Sequence, residues 1–352
     1  MQDISQQLQL SVRKATAEHS SLSICGGGSK SFYGRDTRGD CLDVSGHAGV
    51  LSYEPTELVL TARCGTPLSV IESVLAEKKQ MLGFEPPYFG KSATIGGAVA
   101  CGLSGPRRPF SGSVRDFILG CQIINGQAEI LSFGGQVMKN VAGYDVSRLM
   151  VGAMGTLGLL LQVSVKVLPQ PETELSLRME MSEIEALQSM NRWATKPFPL
   201  SALVWDDNCV HIRLSGGSAA VLSAVKRLGG ERVENSDEYW VALREHTLPF
   251  FETKENLWRL SVAPASPRIN LGGSWFYDWG GAQRWLVSDE SPDSVYKLAA
   301  SMGGHATLFR SGNRNGDRFQ PLSAPLAKLN RNMKQAFDPH GIFNPFRLYK
   351  EW

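Results

Sequence analysis

Three clusters of glycine mark places where this chain offers backbone rather than side chain to a ligand. In Gly26-Gly27-Gly28-Ser29-Lys30-Ser31, after the strand-like stretch 22–25, three consecutive glycines leave successive N–H groups free to curl around an anion. The second cluster, Thr94-Ile95-Gly96-Gly97-Ala98-Val99-Ala100-Cys101-Gly102-Leu103-Ser104-Gly105, is built of small residues and is followed by Gly112-Ser113-Val114-Arg115-Asp116. The third, Gly152-Ala153-Met154-Gly155-Thr156-Leu157-Gly158, leads into an alternating strand. Taken singly, each also reads as a flexible turn or as close helix packing. A glycine inside a regular element costs about 0.5–1 kcal/mol relative to alanine, so three such segments in one half of the chain imply a compensating use: one large, extended ligand. Neither common nucleotide fingerprint fits. A Walker loop needs Gly before Lys, where Ser29 stands, and a G-x-G-x-x-G hexad starting at Gly26 would end on Ser31.

The elements that must position these segments can be read from periodicity. Leu68, Ile71 and Leu75 repeat at helical spacing, with Thr66 placed to cap and Pro67 at the first helical position. Asn125-Gly126 between two strand-like runs predicts a hairpin over 117–133. Leu161, Val163, Val165 and Val167 alternate with Gln162, Ser164 and Lys166 as a strand with one buried face, which Pro169-Gln170-Pro171 ends. Beyond it, Ser182 with Glu185 signals a capped helix, and 210–214, 257–262, 275–279 and 305–309 read as strands, with a helix near 293–302. Leu326, Leu329 and Met333 form a helical stripe that Asp338-Pro339 stops. The expected class is α+β, with an antiparallel sheet covered on one face in the second half. The domains expected are 1–170, 171–320 and a segment 321–352 that returns to the first.

Composition excludes several classes. Lys plus Arg is 36 against 34 Asp plus Glu, so a protein built to grip nucleic-acid phosphates or an anionic membrane is not indicated. Glycine makes up 36 of 352 residues, about 10% against the usual ~7%. The six cysteines form no C-x-x-C pair and the six histidines no ligand spacing, so no autonomous zinc or iron–sulfur site is expected, and the cysteines read as buried reduced thiols. The N-terminus lacks an apolar signal region. The longest apolar stretch, 149–161, is too short to span a bilayer, so no direct membrane span is expected.

Four ordered motifs carry a resemblance: CGGGSKSF, TIGGAVACGLSGPRRPFSGSVRDFILG, KNVAGYDVSRLMVGAMGTLG and FDPHGIFNP. In this order they resemble the FAD-binding oxidases of the vanillyl-alcohol oxidase/p-cresol methylhydroxylase (PCMH) type. Across the middle region, with Asp278-Trp279-Gly280-Gly281 and Gly303-Gly304-His305, the chain is similar to the FAD-binding subunits of bacterial glycolate oxidases. The resemblance implies a PCMH-type FAD-binding domain with an α+β cap. It further implies a complex with a second flavin subunit and an iron–sulfur subunit, acting on a small 2-hydroxy acid in the cytoplasm or, through those partners, at the inner face of the cytoplasmic membrane. It assigns Gly26, Gly27, Gly28, Ser29 and Lys30 to the pyrophosphate. Thr94, Ile95, Gly96, Gly97, Cys101, Gly102 and Gly105 fall beside the diphosphate and ribityl chain. Gly112, Val114 and Asp116 form the turn that follows, Gly155, Gly158, Leu159 and Leu160 the adenine end, and Asn344 the returning terminus. Covalent members carry their flavin-linking histidine where this chain has Ser29, so noncovalent FAD is expected.

Oxidising a 2-hydroxy acid needs a cation for its carboxylate and a base for its hydroxyl proton. His305 with Arg310 or Arg284 are candidates; a lone histidine at a strand start reads equally as surface or packing. Lys139 or Tyr144 would polarise a substrate beside the flavin, and the alternative is a structural turn with Asp145 capping the next helix. Arg107-Arg108 reads as an exposed basic pair, or as a contact to a partner or a carboxylate. The metal-binding histidine motif of related hydroxy-acid dehydrogenases is missing, which leaves open a non-catalytic FAD-containing scaffold, or a dehydrogenase of another acid such as D-lactate.

Overall fold

Alternation in 161–167 puts hydrophobic side chains on a strand at the middle of an antiparallel sheet. The computed structural model describes residues 3–135 and 144–352. Strands β1 (Leu22–Cys25) and β2 (Asp40–Asp43) pair in parallel, while β3 (Val50–Glu54), β4 (Val59–Arg63), β6 (Ile118–Ile124), β7 (Ile130–Gly134) and β8 (Leu159–Lys166) form a sheet of order β3-β4-β8-β6-β7. A short pair, β5 (Gln80–Met81) with β9 (Leu168–Pro169), closes this half. Because β8 lies between β4 and β6, all of its residues except Gln162 and Lys166 are buried, so both faces are covered rather than one. The helix Leu68–Ala76 buries Leu68, Ile71 and Leu75 completely against this sheet, each contributing about 1.5–3 kcal/mol of transfer free energy.

The second half is one antiparallel sheet of eight strands: β10 (Thr173–Glu180), β11 (Leu200–Asp206), β12 (Cys209–Gly216), β13 (Glu231–Val233), β14 (Leu257–Ser261), β15 (Ser274–Asp278), β16 (Gln283–Val287) and β17 (His305–Arg310). Their order is β13-β10-β12-β11-β15-β16-β14-β17. The Ser182/Glu185 capping box opens the helix Glu183–Ala194 as expected, and the fold is α+β.

Several local expectations need correction. Thr66 does not cap: Pro67 precedes the helix, and the Thr66 hydroxyl accepts from Gly49 N (2.8 Å) and donates to Arg63 O (2.6 Å). The hairpin turns through a five-residue loop, because the Asn125 carboxamide oxygen accepts from Gln127 N and Glu129 N, and Phe117 ends a short helix instead of starting a strand. Cys25 and Cys41 are disulfide-bonded, since pairing Ser23 with Cys41 and Cys25 with Asp43 sets both side chains on one face with Cα atoms 6.5 Å apart. Cys64, Cys121 and Cys209 are buried thiols.

Arg107 is buried, not exposed. Its Nε lies 3.1 Å from Glu85 Oε1 and its Nη2 2.6 Å from Glu174 Oε2, while Arg213 Nη2 reaches Glu85 at 2.9 Å. Glu85 and Arg107 precede the Pro169-Gln170-Pro171 break, and Glu174 and Arg213 follow it. One desolvated quartet therefore fastens the two halves together.

The expected helix forms over Ala324–Phe337 and stops at Asp338, with Leu326 and Leu329 of its apolar stripe turned to solvent. Its anchor is Lys334, whose ammonium donates to Thr156 O (2.8 Å), Phe343 O (2.9 Å) and Asp338 Oδ2 (2.6 Å). Past this helix the chain returns to β1, where Leu22 N donates to Ile342 O and Asn344 N to Leu22 O. Lys334→Met removes the partner of a buried carboxylate and is expected to cost about 3–5 kcal/mol, read as a lower urea midpoint; an unchanged midpoint refutes this anchoring.

Candidate functional site

β1 ends at Cys25, and residues 26–30 leave it to wall a cavity of about 330 Å³. Among the described residues the N–H groups of Gly26, Gly27, Gly28, Ser29 and Lys30 donate to no protein acceptor, whereas Gly28 O and Lys30 O accept from Ser31 N and Tyr33 N. Unspent donors on successive residues are what an anion needs. The sequence is forced by space: a Cβ on Gly27 would stand 1.5 Å from Ser92 O, and Gly28 holds φ at +69° with nothing near its open side.

The second cluster supplies the adjoining wall. Thr94 caps the helix Ile95–Cys101 by accepting from Gly97 N (3.1 Å), and a Cβ on Gly96 would fall 2.5 Å from Cys64 Cβ, so the helix can lie close against the sheet only with glycine there. Thr94, Gly96, Gly97 and Cys101 line the cavity. Gly155, Gly158, Leu159 and Leu160 line it as well. Asn344 joins the walls: its Oδ1 accepts from Ile24 N (2.7 Å) and its Nδ2 donates to Met154 O (2.6 Å). Asn344→Ala strands the half-buried Ile24 N–H and the buried Met154 carbonyl, an expected loss of about 1–3 kcal/mol, visible as a lower thermal midpoint and weaker FAD uptake. Retention of both properties would reduce Asn344 to a lining residue.

Cations lining the cavity went unread in the sequence apart from Lys30. The Lys30 ammonium donates to Tyr88 O (3.1 Å), and burial pulls its pKa below the ordinary lysine value. Arg347 donates to Arg35 O (2.9 Å), and Arg314 pairs with Asp36 at 3.0 Å; all three side chains line the cavity. No spacing marks Arg314 or Arg347, because each arrives from the distant C-terminal third.

The remaining assigned residues shape the walls from outside. Ile95 is fully buried core, and Gly102 ends its helix with φ +66°. Gly105 accepts from Trp279 Nε1 (3.0 Å), tying it to the second half. Gly112 holds φ +108°, Val114 is buried, and Asp116 closes a capping box with Ser113.

Among the described residues the catalytic candidates do not meet at the cavity. Lys139 lies outside the described residues. Tyr144 is 97% exposed, and Asp145 does cap the following helix by accepting from Arg148 N. His305 is exposed at the start of β17. The Arg310 guanidinium stacks over Phe32 at 5.2 Å. Arg284 is fully buried, donating to the carbonyls of Gly281 (3.0 Å), Pro267 (2.7 Å) and Ser266. A separate polar group, of which the sequence marks only Asp278, sits between the halves around a void of about 20 Å³. There Arg259 Nε donates to Gln283 Oε1 (2.6 Å), and Gln283 Nε2 donates to Asp278 Oδ2 (3.1 Å). Burial pushes the Asp278 pKa up to about 7, and it pushes His246, stacked on Phe251, well below the histidine range.

Comparison with known proteins follows the same geography. Residues 4–134 match the FAD binding domain family. The whole chain is similar to the glycolate oxidase subunit GlcE of Escherichia coli K12, 50% identical over 349 residues that cover 99% of this chain and 98% of that protein. The chain belongs to the glycolate oxidase subunit GlcE family. Glycolate oxidase subunit GlcD of Bacillus subtilis is 34% identical over 128 residues, 36% of this chain and 27% of its own length, so GlcE and GlcD share a part and not the whole. The structure of p-cresol methylhydroxylase superposes with a TM-score of 0.71 at 15% identity, covering 99% of this chain and 88% of that one, which gives the GlcE family the PCMH-type fold.

Proposed function

We propose that this chain binds FAD noncovalently in the glycine-walled cavity and serves as the FAD-binding subunit of a multi-subunit glycolate oxidase, supporting oxidation of glycolate to glyoxylate. The observation that carries the reading is the run of five amides at 26–30 that are unspent among the described residues, with Gly27 packed where no side chain fits. The residues fit the group: amides of 26–30 for the diphosphate, the wall at Thr94, Gly96 and Gly97 for the chain beside it, and Gly155, Gly158, Leu159 and Leu160 for the adenine end. Bound flavin would supply a hydride acceptor for C2 of a 2-hydroxy acid. Lys30 and Arg347 place positive charge at the cavity wall, and Ser29 offers no imidazole for a covalent link. Partners are a second flavin subunit and an iron–sulfur subunit or other acceptor that carries the electrons onward. Among the described residues no helix is long and apolar enough to cross a membrane; the proposed location is the cytoplasm, or its membrane face through those partners.

A second reading, a non-catalytic FAD-containing scaffold of the same complex, is favoured by the commitment of Arg284 to three backbone carbonyls and the exposure of His305. Anaerobic glycolate separates the two. Bleaching of bound flavin in the isolated chain supports a catalytic subunit, bleaching only after the partners are added supports the scaffold, and a marked preference of the complex for D-lactate displaces glycolate. A correctly folded chain that takes up no FAD defeats both. His305→Ala is expected to leave flavin content and turnover of the complex unchanged; a large fall in turnover would restore it to the chemistry.

A further inference from the structure

We propose that Cys25 and Cys41 are a reversible dithiol–disulfide pair that sets the affinity of the cavity for its dinucleotide. The proposal rests on reading the cavity as an FAD site.

Position makes the case. The bond spans 16 positions, and the ring it closes contains the entire amide cradle, residues 26–30, together with Asp36 and Thr37 of the same cavity wall. That ring is anchored at its middle, where Tyr33 and Arg35 are buried and Arg35 Nε donates to Phe346 O (3.1 Å), and is less constrained toward Cys41. It holds glycines in left-handed backbone at Gly28 (φ +69°), Gly34 (φ +88°) and Gly39 (φ +111°), conformations with little intrinsic preference. Its far end, β2, pairs with β1 alone and buries only Leu42. Closing such a ring removes chain entropy from the segment whose amides must converge on an anion, so the oxidised form meets the ligand with more of its ordering complete. A disulfide elsewhere in the protein would stabilise the fold without this bias.

Access is asymmetric in the way a switch requires. Cys41 is exposed, whereas Cys25 is half-buried and lines the cavity. Reduction begins when an external thiolate attacks Cys41 Sγ; the Sγ–Sγ bond breaks and Cys25 leaves as a thiolate that takes a proton. A second thiol then releases Cys41 from the mixed disulfide, leaving two protein thiols and one small disulfide. Oxidation by a small disulfide such as oxidised glutathione is the reverse, with two electrons and two protons passing to the reagent. Cysteine pairs of this kind in a reducing compartment usually sense redox state and do not serve as permanent staples. By linkage, if the bond tightens dinucleotide binding, bound dinucleotide stabilises the bond by the same factor.

The test uses the full-length chain freed of flavin and held in oxidising or reducing glutathione buffer. The state of the pair is counted by alkylation and peptide mass, and FAD is titrated by quenching of its fluorescence. Reduction is expected to weaken FAD binding on the order of tenfold, a fraction of the full loop-closure entropy. Cys41→Ser should bind like the reduced protein in both buffers, its folding checked by circular dichroism, and saturating FAD should shift the bond's equilibrium by the same factor. Equal affinity in both states, failure of the bond to form in oxidising buffer, or redox dependence that survives Cys41→Ser each overturns the switch while leaving the cofactor reading intact. Failure of either state to bind FAD overturns the cofactor reading first.

Discussion

Gly27→Val is expected to purify as a folded chain without flavin. A β-carbon at Gly27 would lie 1.5 Å from Ser92 O and 2.4 Å from the Ser92 carbonyl carbon, both backbone atoms that no rotamer change can move aside. The Ser92 hydroxyl in turn donates to Gly27 O, so the loop and its neighbour cannot separate without losing that bond as well. Overpacking of this kind costs about 1–3 kcal/mol, and a branched side chain adds to it; if the strain falls on the loop alone, FAD affinity drops about 10–100-fold or more. Gly28→Ala is the matched comparison. Its β-carbon meets nothing within 4 Å, so it carries only the penalty of left-handed backbone, about 1–2 kcal/mol. Flavin absorbance per chain and an FAD titration should therefore rank wild type above Gly28→Ala above Gly27→Val. Full flavin occupancy in Gly27→Val would place the dinucleotide elsewhere.

Arg107→Ala should unfold at a denaturant midpoint lower by about 3–5 kcal/mol of stability, because it leaves Glu85 and Glu174 sharing Arg213 alone in a desolvated junction. Arg107→Lys should recover less than half, since one ammonium cannot reproduce Nε to Glu85 and Nη2 to Glu174 together. Acid sensitivity carries a second signature. Burial works to raise the Glu85 pKa, but the charges of Arg213 and Arg107 outweigh it and hold the carboxyl below its ordinary value. A carboxylate with a depressed folded pKa contributes stability that is fully present above its unfolded pKa, about 4.3, and lost as pH falls through the folded value. Without Arg107 the folded pKa rises, so the acid-side loss of stability should begin at higher pH. An unfolding curve with wild-type midpoint and wild-type pH profile would show the quartet to be energetically idle.

The glycine clusters were legible because backbone exposure leaves a direct mark on sequence: no other residue fits where Gly27 and Gly96 stand. Capped helices and alternating strands were legible for the same local reason, as at Ser182 and along β12. What escaped reading was set by contacts between distant segments. Arg107 looks like surface until Glu85, Glu174 and Arg213 converge on it, and Leu326 looks like core until Lys334 takes over the anchoring of its helix. The ring Cys25–Cys41 depends on strand register, which no spacing rule supplies. Arg259, Gln283 and Asp278 form a relay only because β14, β15 and β16 are neighbours, so no linear motif announces it.

The return of the chain to β1 also fixes when the cavity can exist. Ile24 and its partner Asn344 are 320 positions apart. At about 5–20 residues per second of translation, the glycine loop waits on the order of 15–60 s before the residue that completes its wall has been made. The nascent chain therefore carries an amide cradle without its closing side until Asn344 has been made.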